Sequence, residues 1–127
     1  MLKRFIAAAI LFGVCIAVCV SSYFVVKNLC EEITLDLNAA LEYVERGEMQ
    51  KADEAIVSGE KKWDKYKTVF DIFLDHTMLE NINIDLPSIR PLIESGSVEP
   101  AKEKIEDSIN ALKGILDEQK ISIGNIL

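Results

Sequence analysis

Histidine and tryptophan each occur once in this chain of 127 residues, and cysteine and proline three times each. Each scarcity removes a class of chemistry. One imidazole leaves no room for the His and Cys ligands that zinc sites hold at recognisable spacing. It also gives a serine or cysteine nucleophile only one histidine to serve as its base, and no serine stands in a G-x-S-x-G context. Neither standard glycine-rich phosphate loop is present. Carboxylates are abundant but spread over helix surfaces, with no pair standing out as acid and base. His76 has Asp75 beside it and Glu80 one turn on, which makes a pair and not a site. The expectation is a protein that is not an enzyme, with no metal and no cofactor.

Positive charge is scarce where it would matter. Eleven of the fourteen basic residues and all twenty-one acidic ones follow Lys27, so that part carries a formal charge of −10. This excludes nucleic acid and an anionic membrane surface as partners of the outer part.

What the sequence does have is one long uncharged run, FIAAAILFGVCIAVCVSSYFVV, Phe5 to Val26. As a helix rising about 1.5 Å per residue it crosses a hydrocarbon core about 30 Å thick. The rival is a cleaved secretory signal, but the apolar part of a signal reaches only about 15 residues and ends at a small-x-small site. The run here is longer, and Val18–Ser22 matches such a site imperfectly. Val14, Val18 and Leu29 precede the three cysteines where a lipoprotein signal needs a small residue. Residues 1–27 therefore read as a retained membrane anchor. Lys3 and Arg4 precede the span and acidic residues follow it, which places the N-terminus in the cytoplasm and residues 28–127 outside. Cys15 and Cys19 share one face of the span as packing residues. Cys30 falls just outside without an intrachain partner, either as an unpaired thiol or in an interchain disulfide.

Beyond Lys27 the apolar spacing is helical. Leu29, Ile33, Leu37, Ala40, Leu41 and Val44 step mostly by three and four, continuing the anchor helix to a stop at Gly47. A second helix is expected from about Met49 to His76, with Ala52, Ile56, Trp63, Tyr66, Phe70 and Phe73 inward and a weak point at Ser58-Gly59. In NINIDLPSIRPLIESG, Pro87 suits a first turn capped by Asp85, which predicts a start near Leu86 or a kink at Pro91. A last helix starts near Val98–Pro100, carries Ala101, Ile105, Ile109, Leu112, Ile115 and Leu116, and frays toward Gly124, leaving Asn125-Ile126-Leu127 as an apolar tail. VERGEMQKADEAI and IESGSVEPAKEKI align at an offset of 49, sharing Glu45/Glu94, Gly47/Gly96, Ala52/Ala101, Glu54/Glu103 and Ile56/Ile105. Each reads as a helix hairpin, and the identities arise either from duplication or from two solutions to one turn. The expected fold is all-α: the membrane helix continues into an antiparallel four-helix bundle made of two hairpins.

In WDKYKTVFDIFLDH, Trp63 to His76, the aromatics step by 3, 4 and 3 onto one inward seam. Trp63 is read first as core and second as a partner or ligand contact. His76 is read as closing its helix, where an imidazole bonds terminal carbonyls, and second as a partner or ligand contact.

With Trp63, Leu74-Asp75-His76, the Gly96 turn and the Asn125-Ile126-Leu127 ending in place, the chain resembles domain-of-unknown-function family 4363. The resemblance covers nearly the full length and implies small bacterial proteins, of the spore-forming Gram-positive type, with a membrane helix and an acidic helical remainder. It implies no activity. Pro87 and Pro91 depart from the family's look. Together these readings lead to a membrane-tethered, non-catalytic interaction or scaffold module on the outer face of a bacterial cytoplasmic membrane, with a protein partner or self-association. The alternative is a small-molecule-sensing outer domain that acts through a membrane partner.

Overall fold

The computed structural model describes residues 1–126, with the side chains of Ser122 and Ile126 left aside; Leu127, the end of the apolar tail, lies outside the described residues. Four helices follow in order: α1 Leu2–Glu45, α2 Met49–Phe73, α3 His76–Glu94 and α4 Val98–Ile126. Among the described residues there is no strand. The expected all-α bundle with a long N-terminal helix is what forms. α1 packs on α2 and α4, α3 packs on α4, and the α2–α3 seam is the least extensive of the four.

The reason is a heptad pattern in every helix. The buried positions are Val26, Cys30, Ile33, Leu37, Ala40 and Val44 on α1, and Ala52, Ile56, Gly59, Trp63 and Phe70 on α2. On α3 they are Leu79, Ile82, Leu86, Ile89 and Ile93, and on α4 Ala101, Ile105, Ser108, Ile109, Leu112 and Ile115. Steps of three and four keep one seam facing the partners as shallowly crossed helices run antiparallel. Ser108 sits in that seam with its Oγ donating to the Lys104 carbonyl at 3.0 Å, so no polar group is stranded there.

α1 has two unlike halves. Its first half holds no buried residue before Val26, and it includes a window of mean hydropathy 2.5 that is long and apolar enough to cross a membrane. Its second half is one wall of the bundle, with no break between the two. At about 1.5 Å per residue the whole helix is roughly 66 Å long.

The two hairpin turns repeat each other bond for bond. Arg46 N–H donates to Glu42, Gly47 to Val44, Glu48 to Tyr43 and Ala52 to Glu48; Ser95 donates to Pro91, Gly96 to Ile93, Ser97 to Leu92 and Ala101 to Ser97. All eight lie between 2.9 and 3.1 Å. Gly47 and Gly96 adopt φ of +78° and +72°, the left-handed step a side chain resists. Ala52 and Ala101 are fully buried, as the close helix approach requires.

Three expectations are corrected. α2 ends at Phe73, not His76, because Leu74 turns extended and the Asp75 side chain accepts from Thr77 N–H to cap a new helix. α3 therefore starts ten residues earlier than Leu86 and runs through both prolines. Pro87 and Pro91 lie one turn apart on the exposed face, so water reaches the carbonyls they free, while the opposite stripe stays buried. Asp85 is not a cap but lies mid-helix, 3.4 Å from Lys104 Nζ. Finally, α4 stays helical past Gly124 to Ile126 instead of fraying there.

Candidate functional site

The α2–α3 seam holds a group of polar side chains around Trp63. Trp63 is 3% exposed, stacks on Phe70 with centroids 5.1 Å apart, and donates its indole N–H to Asn83 Oδ1 at 2.8 Å. An indole buried in a core needs such a partner, and Asn83 supplies it from the neighbouring helix. One turn before Trp63, a Glu60 carboxylate oxygen, Oε1, is buried with no hydrogen-bond partner among the described residues. Burial raises the Glu60 pKa from its ordinary 4.5; Arg90 opposes the shift, and Asp64 and Asp53 reinforce it. Arg90 meanwhile forks onto Asp53, Nε to Oδ1 at 2.9 Å and a terminal nitrogen to Oδ2 at 3.3 Å. Glu60, Trp63, Asn83 and Pro87 line a crevice of about 200 Å³.

The opposite face of α2 is pinned to α1. Asp36 accepts from Ser58 Oγ and pairs with Lys62 Nζ, both at 2.9 Å, and Tyr66 donates to Glu32 at 2.7 Å. Gly59 lies beside this knot, and the helix passes through it unbroken.

A second concave region lies at the base of the bundle, where the chain turns from α2 to α3. A cavity of about 460 Å³ is lined by Cys19 and Ser22 of α1, Phe73 to Asp75, Met78, and Glu118, Gln119, Ile121 and Ile123 of α4. A neighbouring one of about 450 Å³ lies between α3 and α4. Gln119 Oε1, on the wall of the first, is buried without a hydrogen-bond partner among the described residues.

The three residues singled out from sequence are not brought together. Trp63 sits in the core, as its first reading had it. His76 is exposed in the first turn of α3, so it does not close α2 and cannot serve its terminal carbonyls. Cys30, read as an unpaired thiol or an interchain disulfide, is 1% exposed within the α1 seam, so an interchain disulfide requires the bundle to open first. Phe73, expected inward, is 45% exposed, and Tyr66 is half-buried. Sequence reasoning missed Asn83, Glu60 and the Asp53–Arg90 fork. The signal for Asn83 was a polar residue flanking the apolar stripe of α3; the others read as solvated charges. Among the described residues, no group of three His, Cys, Asp or Glu side chains is placed to hold a metal ion.

Compared with known proteins, the chain matches one family model, the Domain of unknown function (DUF4363), over residues 20–126. No curated protein and no solved structure matches it.

Proposed function

The chain belongs to the DUF4363 family, which is defined without an activity, and we propose that it is a membrane-tethered, non-catalytic helical module for interaction or scaffolding. Its N-terminus lies in the cytoplasm and its bundle on the outer face of a bacterial cytoplasmic membrane. The observation that carries this reading is α1 itself, an apolar half with no buried residue before Val26 joined without a break to one wall of the bundle. A rigid joint of this kind holds the bundle at a set height and orientation above the bilayer, which suits a part that meets neighbours in the same membrane. The acidic surface keeps it from anionic lipid and nucleic acid. The absence of a paired nucleophile and base in the sequence supports the non-catalytic part.

Cross-linking in native membranes tests the proposal. A consistent partner, or a second copy, is expected at the bundle surface, and a strictly solitary monomer overturns it. Protease added from outside should remove the bundle and leave the anchor; protection of the bundle overturns the orientation.

A second reading, a sensor for a small solute, has one specific observation in its favour: the crevice beside Glu60, whose buried carboxylate oxygen lacks a donor. At about 200 Å³ it is smaller than the usual range of roughly 300–1,000 Å³ for drug-sized ligands. Thermal-shift screening against small amines and polar metabolites tests it, since binding to the native state raises stability. A shift abolished in Glu60→Ala supports it, and no shift with any of them counts against it.

A further inference from the structure

We infer that the base of the bundle is seated within the outer interfacial layer of the bilayer, where Ile72, Phe73 and Ile121 contact zwitterionic phospholipid; the inference rests on the anchor reading above. The reason is one of register. Phe73 closes a groove along Val14, Val18, Ser22 and Val25 of α1. The cavity at the base joins Cys19 and Ser22 to Leu74, Asp75, Ile121 and Ile123. The α2–α3 turn and the last turns of α4 thus lie beside Cys19–Val25, which belong to the uncharged run Phe5–Val26. Only Phe5–Gly13 lies ahead of the groove that Phe73 closes. As helix, that stretch is roughly 14 Å long, short of a hydrocarbon core of about 30 Å. A bilayer spanned by the whole run therefore reaches the base.

The side chains there suit that position. Ile72 is 71% exposed and Ile121 63%, with Phe73 between α1 and solvent. On α1, Phe24 and Val25 also face outward at this level. Large apolar residues exposed together mark a surface that something covers. The polar groups beside them, Asp71, Asp75, His76, Glu118 and Lys120, belong at headgroup depth and not in hydrocarbon. Their acidic excess favours the ammonium of a zwitterionic headgroup over an anionic lipid.

Spin-label depth measurement on the full chain in phosphatidylcholine nanodiscs tests this. Labels are placed at Ile72→Cys and, separately, Ile121→Cys in a Cys15→Ala, Cys19→Ala background; Cys30 is buried and does not take the label. Val18→Cys serves as reference within the span and Ile84→Cys, 62% exposed in mid-bundle, as the aqueous control. Circular dichroism confirms that each variant keeps its helix. The ratio of relaxation by oxygen to relaxation by a water-soluble nickel chelate is expected to be at least about threefold higher at 72 and 121 than at 84. Equal ratios at 72, 121 and 84 with a high ratio at 18 overturn the inference and leave the anchor standing. A low ratio at 18 overturns the anchor reading itself. Broadening between labels that vanishes on dilution with unlabelled chain assigns the surface to a second copy and overturns the lipid contact. Replacing half the lipid with phosphatidylglycerol should leave the ratios at 72 and 121 unchanged or lower, and a rise overturns the zwitterionic assignment.

Discussion

At the distal end of the bundle, both hairpins close on a left-handed glycine, and charged side chains such as Glu45, Arg46, Glu48 and Glu94 surround the turns. At the base, one extended step through Leu74 and Asp75 joins α2 to α3, two cavities of about 460 and 450 Å³ open, and Ile72, Phe73 and Ile121 stand exposed. The distal end satisfies its own backbone and needs nothing more. The base is incomplete as a surface in water and acceptable against a bilayer. On the seating proposed above, one bundle meets two solvents: short-range turn chemistry closes one end, and the bilayer completes the other.

The sharpest way to break this contrast uses two phenylalanines on one helix. Phe70→Ala empties a fully buried site in contact with Trp63 and should cost about 3–5 kcal/mol. Phe73→Ala, at the base, should cost under about 0.5 kcal/mol in detergent. Thermal unfolding followed by circular dichroism measures both, and equal losses would erase the distinction between core and base. Next in size are the turns. Gly96→Ala forces a side chain into φ of +72° and should lose about 1–2 kcal/mol. Asp75→Ala removes a single long cap bond of 3.4 Å at the other end and should lose no more than about 1 kcal/mol.

Two substitutions should stabilise. A β-carbon at Gly59 would meet Asp36 Cβ at 3.6 Å, an ordinary contact, so Gly59→Ala gains up to about 1 kcal/mol of helix propensity. A loss there would mean that α1 and α2 pack more closely than described. The smallest effect is at Glu60, whose folded-state pKa lies above 4.5 because of burial. The folded state binds its proton more tightly than the unfolded one, so this contribution is most favourable below 4.5 and declines as pH rises through the folded value. Glu60→Gln removes that decline. Its unfolding midpoint should exceed that of the parent at neutral pH, and the gain should vanish in acid; a gain independent of pH would sink the burial argument.

Much of the fold was legible because it rests on short-range rules. Periodicity located most of the inward positions of α1, α2 and α4, with Phe73 the exception at 45% exposed, and glycine placed both hairpin turns within a residue. The α2–α3 boundary was misread because Phe73, Leu74 and His76 continue an apolar spacing that backbone geometry does not follow. Asp75 as a cap outweighed it, and Asp85 was the wrong aspartate. The prolines misled for a related reason: their cost depends on whether the freed carbonyls face water, which is a matter of helix orientation. At the candidate sites, Trp63 was legible as core, whereas the Asn83 acceptor twenty residues away was not, since pairing across a seam depends on register between helices.

By itself the sequence determined that the chain is helical, that one uncharged run is long enough to cross a membrane, that two glycine turns make two hairpins, and that the part after Lys27 is strongly acidic. These follow from composition and from intervals of three, four and forty-nine residues. Only the tertiary structure decided that Cys30 faces inward, that His76 opens a helix instead of closing one, that Glu60 Oε1 lacks a donor among the described residues, and that the bundle's base overlaps the uncharged run. The Asp75 cap sets the His76 boundary locally; each of the others depends on how far one helix slides past another, a quantity set by side-chain packing along the whole seam and written in no single segment.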